Sequence, residues 1–153
     1  SYITGALSFS FILYITIALL FLTKPKTLPK PKPYQSKQFD QDTVDNLSQK
    51  LQQTMTENEY FCEPLLAMPN VASKMGISVA QLSQLLNDNF DKSFNTYVNE
   101  LRIEKAKGLL TSGQNMTMEV IAERCGYNSM STFYSAFKKI VDVTPARYRQ
   151  QYQ

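Results

Sequence analysis

The sequence predicts an all-α protein: a seven-helix domain that contains two helix-turn-helix units and is preceded by one transmembrane helix. Three observations favour this class. Apolar residues recur at helical spacing from residue 43 onward, a glycine-centred pair of short helices occurs twice, and the chain opens with a long uncharged apolar run. We therefore divide the 153 residues into a transmembrane segment (1–23), a Lys/Pro-rich linker (24–39) and a helical domain (40–153).

The N-terminal run extends from Tyr2 to Leu22 without one charged residue. At about 1.5 Å per residue, a helix of this length crosses a hydrocarbon core of about 30 Å, and the run is too long and uniform for a buried soluble helix. A cleaved signal peptide would need a basic segment before the run and a small-residue cleavage site after it, and neither is present. Because the chain starts at Ser1 inside the run, we expect it to be the C-terminal piece of a longer protein, with this as the last of several spans.

The linker combines lysine with proline. Five lysines precede the first acidic residue, Asp40: Lys24, Lys26, Lys30, Lys32 and Lys37. The positive-inside rule then predicts that the chain after the span lies on the cytoplasmic side of the inner membrane. Four interspersed prolines predict an extended spacer with a reach on the order of 50 Å. The lysines either contact anionic lipid headgroups or act only as a topology signal.

The clearest helix pair occupies residues 121–139. Gly126 can adopt the positive φ that a tight turn needs, and Asn128 or Ser129 can cap the helix that follows. That helix places three apolar residues on one face, Phe133, Ala136 and Phe137. Its other faces are polar and basic, which suits a helix that packs on a core while it enters a DNA groove.

A second copy of the pattern lies upstream, at residues 71–86. Its turn glycine, Gly76, precedes Gly126 by 50 residues, and Ser78 with Gln81 fits a Ser-x-x-Gln capping box. Further positions correspond between the copies: Ala72 with Ala122, Ser78 with Ser129, Leu82 with Phe133 and Leu86 with Phe137. Two copies are too few for a solenoid but indicate two related units in one domain.

Periodicity and start signals such as Ser93 and Thr144-Pro145 predict seven helices, at 43–58, 68–75, 78–89, 93–111, 117–124, 129–141 and 144–151. The helix at 93–111 has so broad an apolar surface that we expect it to pack against both units. The first helix carries apolar residues at steps of three and four: Val44, Leu47, Leu51 and Met55. They either pack on their own domain, which we favour, or form a coiled-coil seam between two chains.

The composition argues against an enzyme and predicts no cofactor. The chain has no His, two Cys and five scattered Gly, so it lacks the commonest general base, a complete zinc ligand set and a phosphate-binding glycine loop. Cys125 precedes the turn glycine, where a buried packing role fits better than a reactive thiol. We interpret Cys62 as structural rather than redox-sensing.

Charge is distributed unevenly along the helical domain. Residues 40–63 contain six acidic residues against Lys50, whereas residues 105–153 contain seven basic residues against three acidic ones. The segment at 78–89 contains no Lys or Arg. We therefore expect the C-terminal unit to supply most of the non-specific affinity for phosphates, and the first unit to supply orientation and some base reading.

Taken together, residues 43–149 resemble the bacterial AraC/XylS-type DNA-binding domain. The resemblance is most specific in the C-terminal half, at Arg102-Ile103, Ala106, Leu110, Met118, Ile121-Ala122, Gly126-Tyr127, Phe133, Phe137, Asp142 and Thr144-Pro145. It implies seven helices in which a long central helix joins two helix-turn-helix units. The chain departs from the pattern at Ala67, where the family usually has a Thr or Ser cap. Pro69 in the first helical turn would compensate by restricting φ.

The resemblance also implies that both recognition helices enter successive major-groove segments on one face of the duplex, about one turn apart. The positions that match the family's groove-facing residues are Ala80, Gln81, Ser83, Gln84, Ser129, Met130, Ser131, Tyr134 and Ser135. Among these, Gln81 and Gln84 can pair with adenine edges, and Ala80, Met130 and Tyr134 can contact thymine methyl groups. Lys138, Lys139, Arg147 and Arg149 are the candidates for phosphate contacts, or else ordinary solvated surface charges.

The predicted function is that of a membrane-anchored, sequence-specific DNA-binding transcription regulator, the output module of a multi-span sensor. The expected partners are double-stranded DNA and the lipid bilayer, with RNA polymerase and a second copy of the chain as further candidates. One alternative is a membrane scaffold whose helix-turn-helix pair binds proteins, which the acidic first helix favours. Another is an alkyl-transfer repair enzyme, but no base or metal set accompanies Cys62 or Cys125.

Overall fold

The computed structural model describes residues 39–152 together with Tyr14 and Ile15. Apart from these last two residues and Phe39, the predicted transmembrane segment and the Lys/Pro-rich linker lie outside the described residues. Among the residues that are described, no helix combines the length and the apolar character needed to cross a membrane.

Residues 39–152 fold into seven α-helices without a strand. They are α1 (Gln41–Thr56), α2 (Met68–Met75), α3 (Val79–Phe90), α4 (Phe94–Thr111), α5 (Met118–Arg124), α6 (Met130–Val141) and α7 (Pro145–Tyr152). The all-α prediction is confirmed for this part of the chain, and every helix boundary lies within two residues of the predicted one. One element was not predicted: α1 stops at Thr56, and a 3-10 segment, Glu57–Cys62, follows it.

Side-chain caps explain why most of these helices begin where they do. The Ser78 hydroxyl accepts a hydrogen bond from the Gln81 amide at 3.1 Å, and the Gln81 side chain accepts one from the Ser78 amide at 2.9 Å. This confirms the predicted capping box, which satisfies two amides that lack partners within the helix. Four other hydroxyls accept from the amide three residues on: those of Ser93, Thr117, Ser129 and Thr144.

Helix α2 begins without such a cap. Ala67 occupies the capping position and has no side-chain acceptor, but the Asn70 carboxamide oxygen accepts from the Ala67 amide at 3.2 Å. Pro69 lies in the first turn, where its restricted φ suits a helix. Half of a capping box and a proline therefore start α2.

The domain has two hydrophobic cores, and α4 contributes to both. The first core lies under α1, α2 and α3 and includes Phe94 and Val98 from the first half of α4. The second lies under α5 and α6 and includes Ile103, Ala106 and Leu110 from the other half. The prediction that this helix packs against both units is confirmed. Each core therefore packs against only about half of α4.

Helix α1 packs on its own domain, as favoured over a coiled-coil seam. Leu51 and Met55 are fully buried in the first core, and Val44 and Leu47 pack against its edge. Burial of Leu51 and Met55 leaves these two residues without surface for a second chain.

Both cysteines are free thiols. Cys125 is fully buried in the second core, and this burial raises its pKa to about 12. Cys62 is half-buried, and its pKa is also raised by burial, although the nearby Lys105 ammonium opposes the shift. Raised pKa values disfavour the nucleophilic thiolate, which agrees with a packing role for both side chains.

Candidate nucleic-acid interface

Both helix pairs turn through the same backbone geometry. Gly76 has φ of 66° and Gly126 has φ of 82°, the left-handed conformation that glycine adopts without strain. In each turn the amide after the glycine donates to the carbonyl of an alanine five residues back: Ile77 to Ala72, and Tyr127 to Ala122, both at 3.0 Å. The repeat seen in the sequence is therefore a structural repeat, with one helix-turn-helix in each unit.

In the first unit, α3 turns its apolar side inward. Leu82, Leu85 and Leu86 are buried in the first core. The predicted groove-facing residues lie on the remaining surface, with Ala80 and Gln81 exposed and Ser83 and Gln84 half-buried. The Gln81 side-chain oxygen is already engaged in the capping box.

Gln84 is the unusual member of this surface. Its side-chain oxygen is buried and lacks a hydrogen-bond partner within the described chain. A buried acceptor without a donor costs free energy, which turning the carboxamide outward to a donor would relieve.

In the second unit, α6 repeats the arrangement. Phe133 and Phe137 are fully buried, and the predicted groove-facing Ser129, Ser131 and Ser135 are exposed. Ser131, Ser135 and the half-buried Tyr134 lie three and four residues apart and share one helix face. The Tyr134 ring packs edge-on against Phe133, with ring centroids 5.8 Å apart.

Three of the predicted groove-facing residues in and before α6 have structural partners as well. Met130 is half-buried and packs against the second core. The Ser129 hydroxyl caps the helix by accepting from the Thr132 amide at 3.2 Å. The Ser131 hydroxyl lies within hydrogen-bond distance of the Ser129 hydroxyl, at 2.9 Å. The exposed Ser135 hydroxyl has no such partner within residues 39–152 and is therefore the most available of the three serine hydroxyls.

The four predicted phosphate-contacting residues differ in how free they are. Lys138 and Lys139 are exposed in the last turn of α6, and Arg147 is exposed on α7. None of the three belongs to an ion pair found among residues 39–152. Arg149 is different, because it is half-buried and its guanidinium donates to the Met116 carbonyl at 2.8 Å. Arg149 thus holds the loop before α5, a role that the sequence did not predict.

The structure reveals a contact between the two units that local sequence patterns do not predict. We call it the junction: the 57–64 segment, Arg102 and Lys105 of α4, and the turn at 126–128. The Arg102 guanidinium donates to the carbonyls of Phe61 at 2.7 Å and Glu63 at 2.8 Å. Arg102 is one of the positions that match the AraC/XylS-type pattern, but the match does not indicate its partners. These bonds join residues 39 and 41 positions apart, and contacts over such distances leave no periodic signal in a sequence.

Comparison with known proteins agrees with this geometry. A family model described as a helix-turn-helix domain matches residues 71–151, more than half of the chain. The chain belongs to this family. The xylose operon regulatory protein of Escherichia coli (strain K12) is 32% identical to it over 84 residues, which are 55% of this chain and 21% of that protein. The chain therefore spans about a fifth of the length of that relative.

Two solved structures share the fold. The C-terminal domain of AraT, a response regulator from Geobacillus stearothermophilus, superposes with a TM-score of 0.61 at 30% identity, covering 69% of this chain and 84% of that one. A transcriptional regulator with an AraC-type DNA-binding domain from Chromobacterium violaceum gives a TM-score of 0.61 at 26% identity, covering 70% and 95%. The domain is thus of the AraC/XylS helix-turn-helix DNA-binding type, as the resemblance implied.

Proposed function

We propose that this chain is a membrane-anchored, sequence-specific transcription regulator whose two helix-turn-helix units read successive major-groove segments of one duplex. The observation that carries the proposal is the structural repeat: α3 and α6 follow the same glycine turn, bury their apolar side and leave the opposite side exposed or half-buried. A recognition helix needs such an arrangement, because its apolar side must stay on the core while its polar side reaches base edges.

The first unit contributes base contacts rather than charge. Ala80, Ser83 and Gln84 lie on one face of α3, and Gln81 lies beside them. A glutamine carboxamide can pair with both exposed groups of an adenine edge, and Ala80 can contact a thymine methyl group. We propose that Gln84 turns its carboxamide into the groove, where adenine supplies the donor that its buried oxygen lacks.

The second unit reads bases and supplies most of the positive charge. Ser131 and Ser135 offer exposed hydroxyls, and Tyr134 and Met130 offer apolar edges for thymine methyl groups. In this proposal Lys138, Lys139 and Arg147 contact phosphates directly. Arg149, whose Nη2 donates to the Met116 carbonyl, contacts a phosphate through its remaining donors.

Membrane anchoring rests on the part of the chain that lies outside the described residues. The uncharged run from Tyr2 to Leu22 has the length of one span, and the lysines that follow it favour a cytoplasmic domain. A DNA-binding domain needs that orientation to reach the chromosome. We further propose RNA polymerase and a second copy of the chain as partners of the regulator.

Selection from a random duplex pool tests this function with the full chain in mild detergent. We expect a preferred site to emerge, and Gln84→Ala to weaken binding to that site by about 1 to 3 kcal/mol with little effect on random duplex. Gln49→Ala, which removes an exposed glutamine from α1, is the matched control and should change neither affinity. Enrichment of no site, with no binding at low salt, would favour the scaffold alternative, in which the helix pairs bind proteins.

A further inference from the structure

The junction lies where α4 passes from one core to the other. Phe94 and Val98 belong to the first core and Ile103 to the second, so Arg102 stands at the changeover. Each core holds only about two helical turns of α4. If α4 were the only connection, the angle between the two units would therefore depend on the stiffness of this one helix. The junction adds a second connection beside that helix.

Three elements meet in this second connection. The Arg102 guanidinium holds the 61–63 backbone and lies 5.4 Å from the centre of the Tyr127 ring. The Tyr127 hydroxyl donates to Asn99 of α4 at 2.9 Å, and the Asn128 side chain donates to the Pro64 carbonyl at 3.4 Å. A segment of the first unit, the central helix and the turn of the second unit are therefore bonded to one another.

At Gly126 the backbone of the second unit lies directly against the Cys62 backbone of the first unit. A Cβ atom there would lie 2.2 Å from the Cys62 carbonyl oxygen and 2.6 Å from its carbonyl carbon, both backbone atoms. At Gly76, the equivalent turn glycine of the first unit, a Cβ atom would meet nothing within 4 Å. The two glycines share the left-handed conformation, but only Gly126 is also required for contact between the units.

From this geometry we propose that Arg102 is a positioning residue that fixes the separation and angle of the two recognition helices, so that the protein binds only duplexes whose two half-sites have one spacing. The inference rests on the proposed DNA binding. Inserting one base pair moves a half-site by about 3.4 Å along the duplex and about 35° around it. Units locked at the junction cannot follow that displacement, whereas units joined by α4 alone can bend towards it.

The test uses the site that the wild-type chain selects, with one base pair inserted or deleted between its halves. We expect wild-type affinity to fall at least about tenfold at each altered spacing, since the base contacts of one unit are lost. In Arg102→Met the loss of affinity at each altered spacing should be only about threefold or less. In Gly126→Ala the added methyl group would clash with the Cys62 backbone and push the two units apart. This variant should therefore also lose less affinity than the wild type when the spacing is altered.

Gly76→Ala is the matched control, because it introduces comparable backbone strain in a turn that lies away from the junction. It should keep the steep wild-type spacing dependence. If Arg102→Met loses its helical circular dichroism, Arg102→Lys replaces it, since lysine keeps the charge but cannot bond two carbonyls as a planar fork.

Each outcome of this experiment decides one claim. A steep spacing dependence in Arg102→Met or Arg102→Lys, equal to that of the wild type, would overturn the positioning role. A selected site that the wild type binds equally well at every spacing would overturn the locked junction while leaving the proposed function intact. Failure of the wild type to select any site would contradict the proposed function itself, and the positioning role with it.

Discussion

Removal of Lys138 and Lys139 should separate the electrostatic part of DNA binding from base reading. Both side chains are exposed in the last turn of α6, and neither forms an ion pair within residues 39–152. By contrast, α3 contains no Lys or Arg and carries Asp88. If each lysine contacts one phosphate, Lys138→Ala/Lys139→Ala should reduce the slope of log affinity against log salt by up to about 2, since each contact releases roughly one counterion.

This slope change has a measurable size. Between 50 and 200 mM salt, the wild type should lose about tenfold more affinity than the double variant, on preferred and random duplexes alike. Fluorescence anisotropy with the full chain in detergent measures the affinity for both kinds of duplex. Lys50→Ala/Lys107→Ala removes the same charge from α1 and α4, where Lys107 is paired with Glu104 at 2.7 Å, and should alter the slope less. An unchanged slope in Lys138→Ala/Lys139→Ala, or an equal change in the control, would refute the assignment of these lysines to phosphates.

Three further predictions concern stability, thiol chemistry and the membrane. Ala67→Ser should complete the capping box of which Asn70 already forms one half. The free energy of unfolding, measured in urea, should rise by about 0.5 to 1 kcal/mol. A decrease in this free energy would show that the N-terminus of α2 does not need the serine cap. Because the folded-state pKa of Cys125 is raised from 9.0 to about 12, its contribution to stability should be present below pH 9.0 and lost as the pH rises through about 12. Cys125→Ala should make this alkaline decline shallower, and an equally steep decline would contradict the burial argument. The full chain should sediment with membranes and score cytoplasmic at its C-terminus in a topology-reporter fusion, and recovery without detergent in the soluble fraction would remove the membrane claim.

Local signals were enough to predict most of the fold. Helical spacing of apolar residues, Ser and Thr caps and the repeated glycine turn are properties of neighbouring residues, so they are legible in a sequence without knowledge of tertiary contacts. Ser78 with Gln81 is the clearest case, because both hydrogen bonds of the predicted capping box are present.

Features that depend on distant partners were not predicted. Residues 57–62 leave the α-helical path, with positive φ at Asn58 and Glu59, and are held by Arg102 and by an ion pair between Glu59 and Lys105. Periodicity carries no information about such contacts, since their partners lie about 40 residues away. The same holds for the bond from Arg149 to Met116, which gives a predicted phosphate-contacting residue a structural contact as well.

The candidate interface was thus predictable as two helix faces but not as two helices held in one arrangement. Which residues of α3 and α6 turn away from the core follows from the positions of leucine and phenylalanine in each helix. The relation between the helices depends instead on the close approach of Gly126 to Cys62 and on the bonds of Arg102. Sequence spacing alone does not determine either contact.

Footprinting on a selected duplex tests the central claim most directly, namely that both helix-turn-helix units of one chain read one DNA site. With the full chain in detergent, hydroxyl-radical cleavage and interference by replacement of thymine with uracil report the backbone and the methyl groups that are contacted. We predict two protected segments on one face of the duplex, about 10 base pairs apart, with interfering thymines in both. Protection of a single segment, or uniform protection without any interfering thymine, would contradict the account.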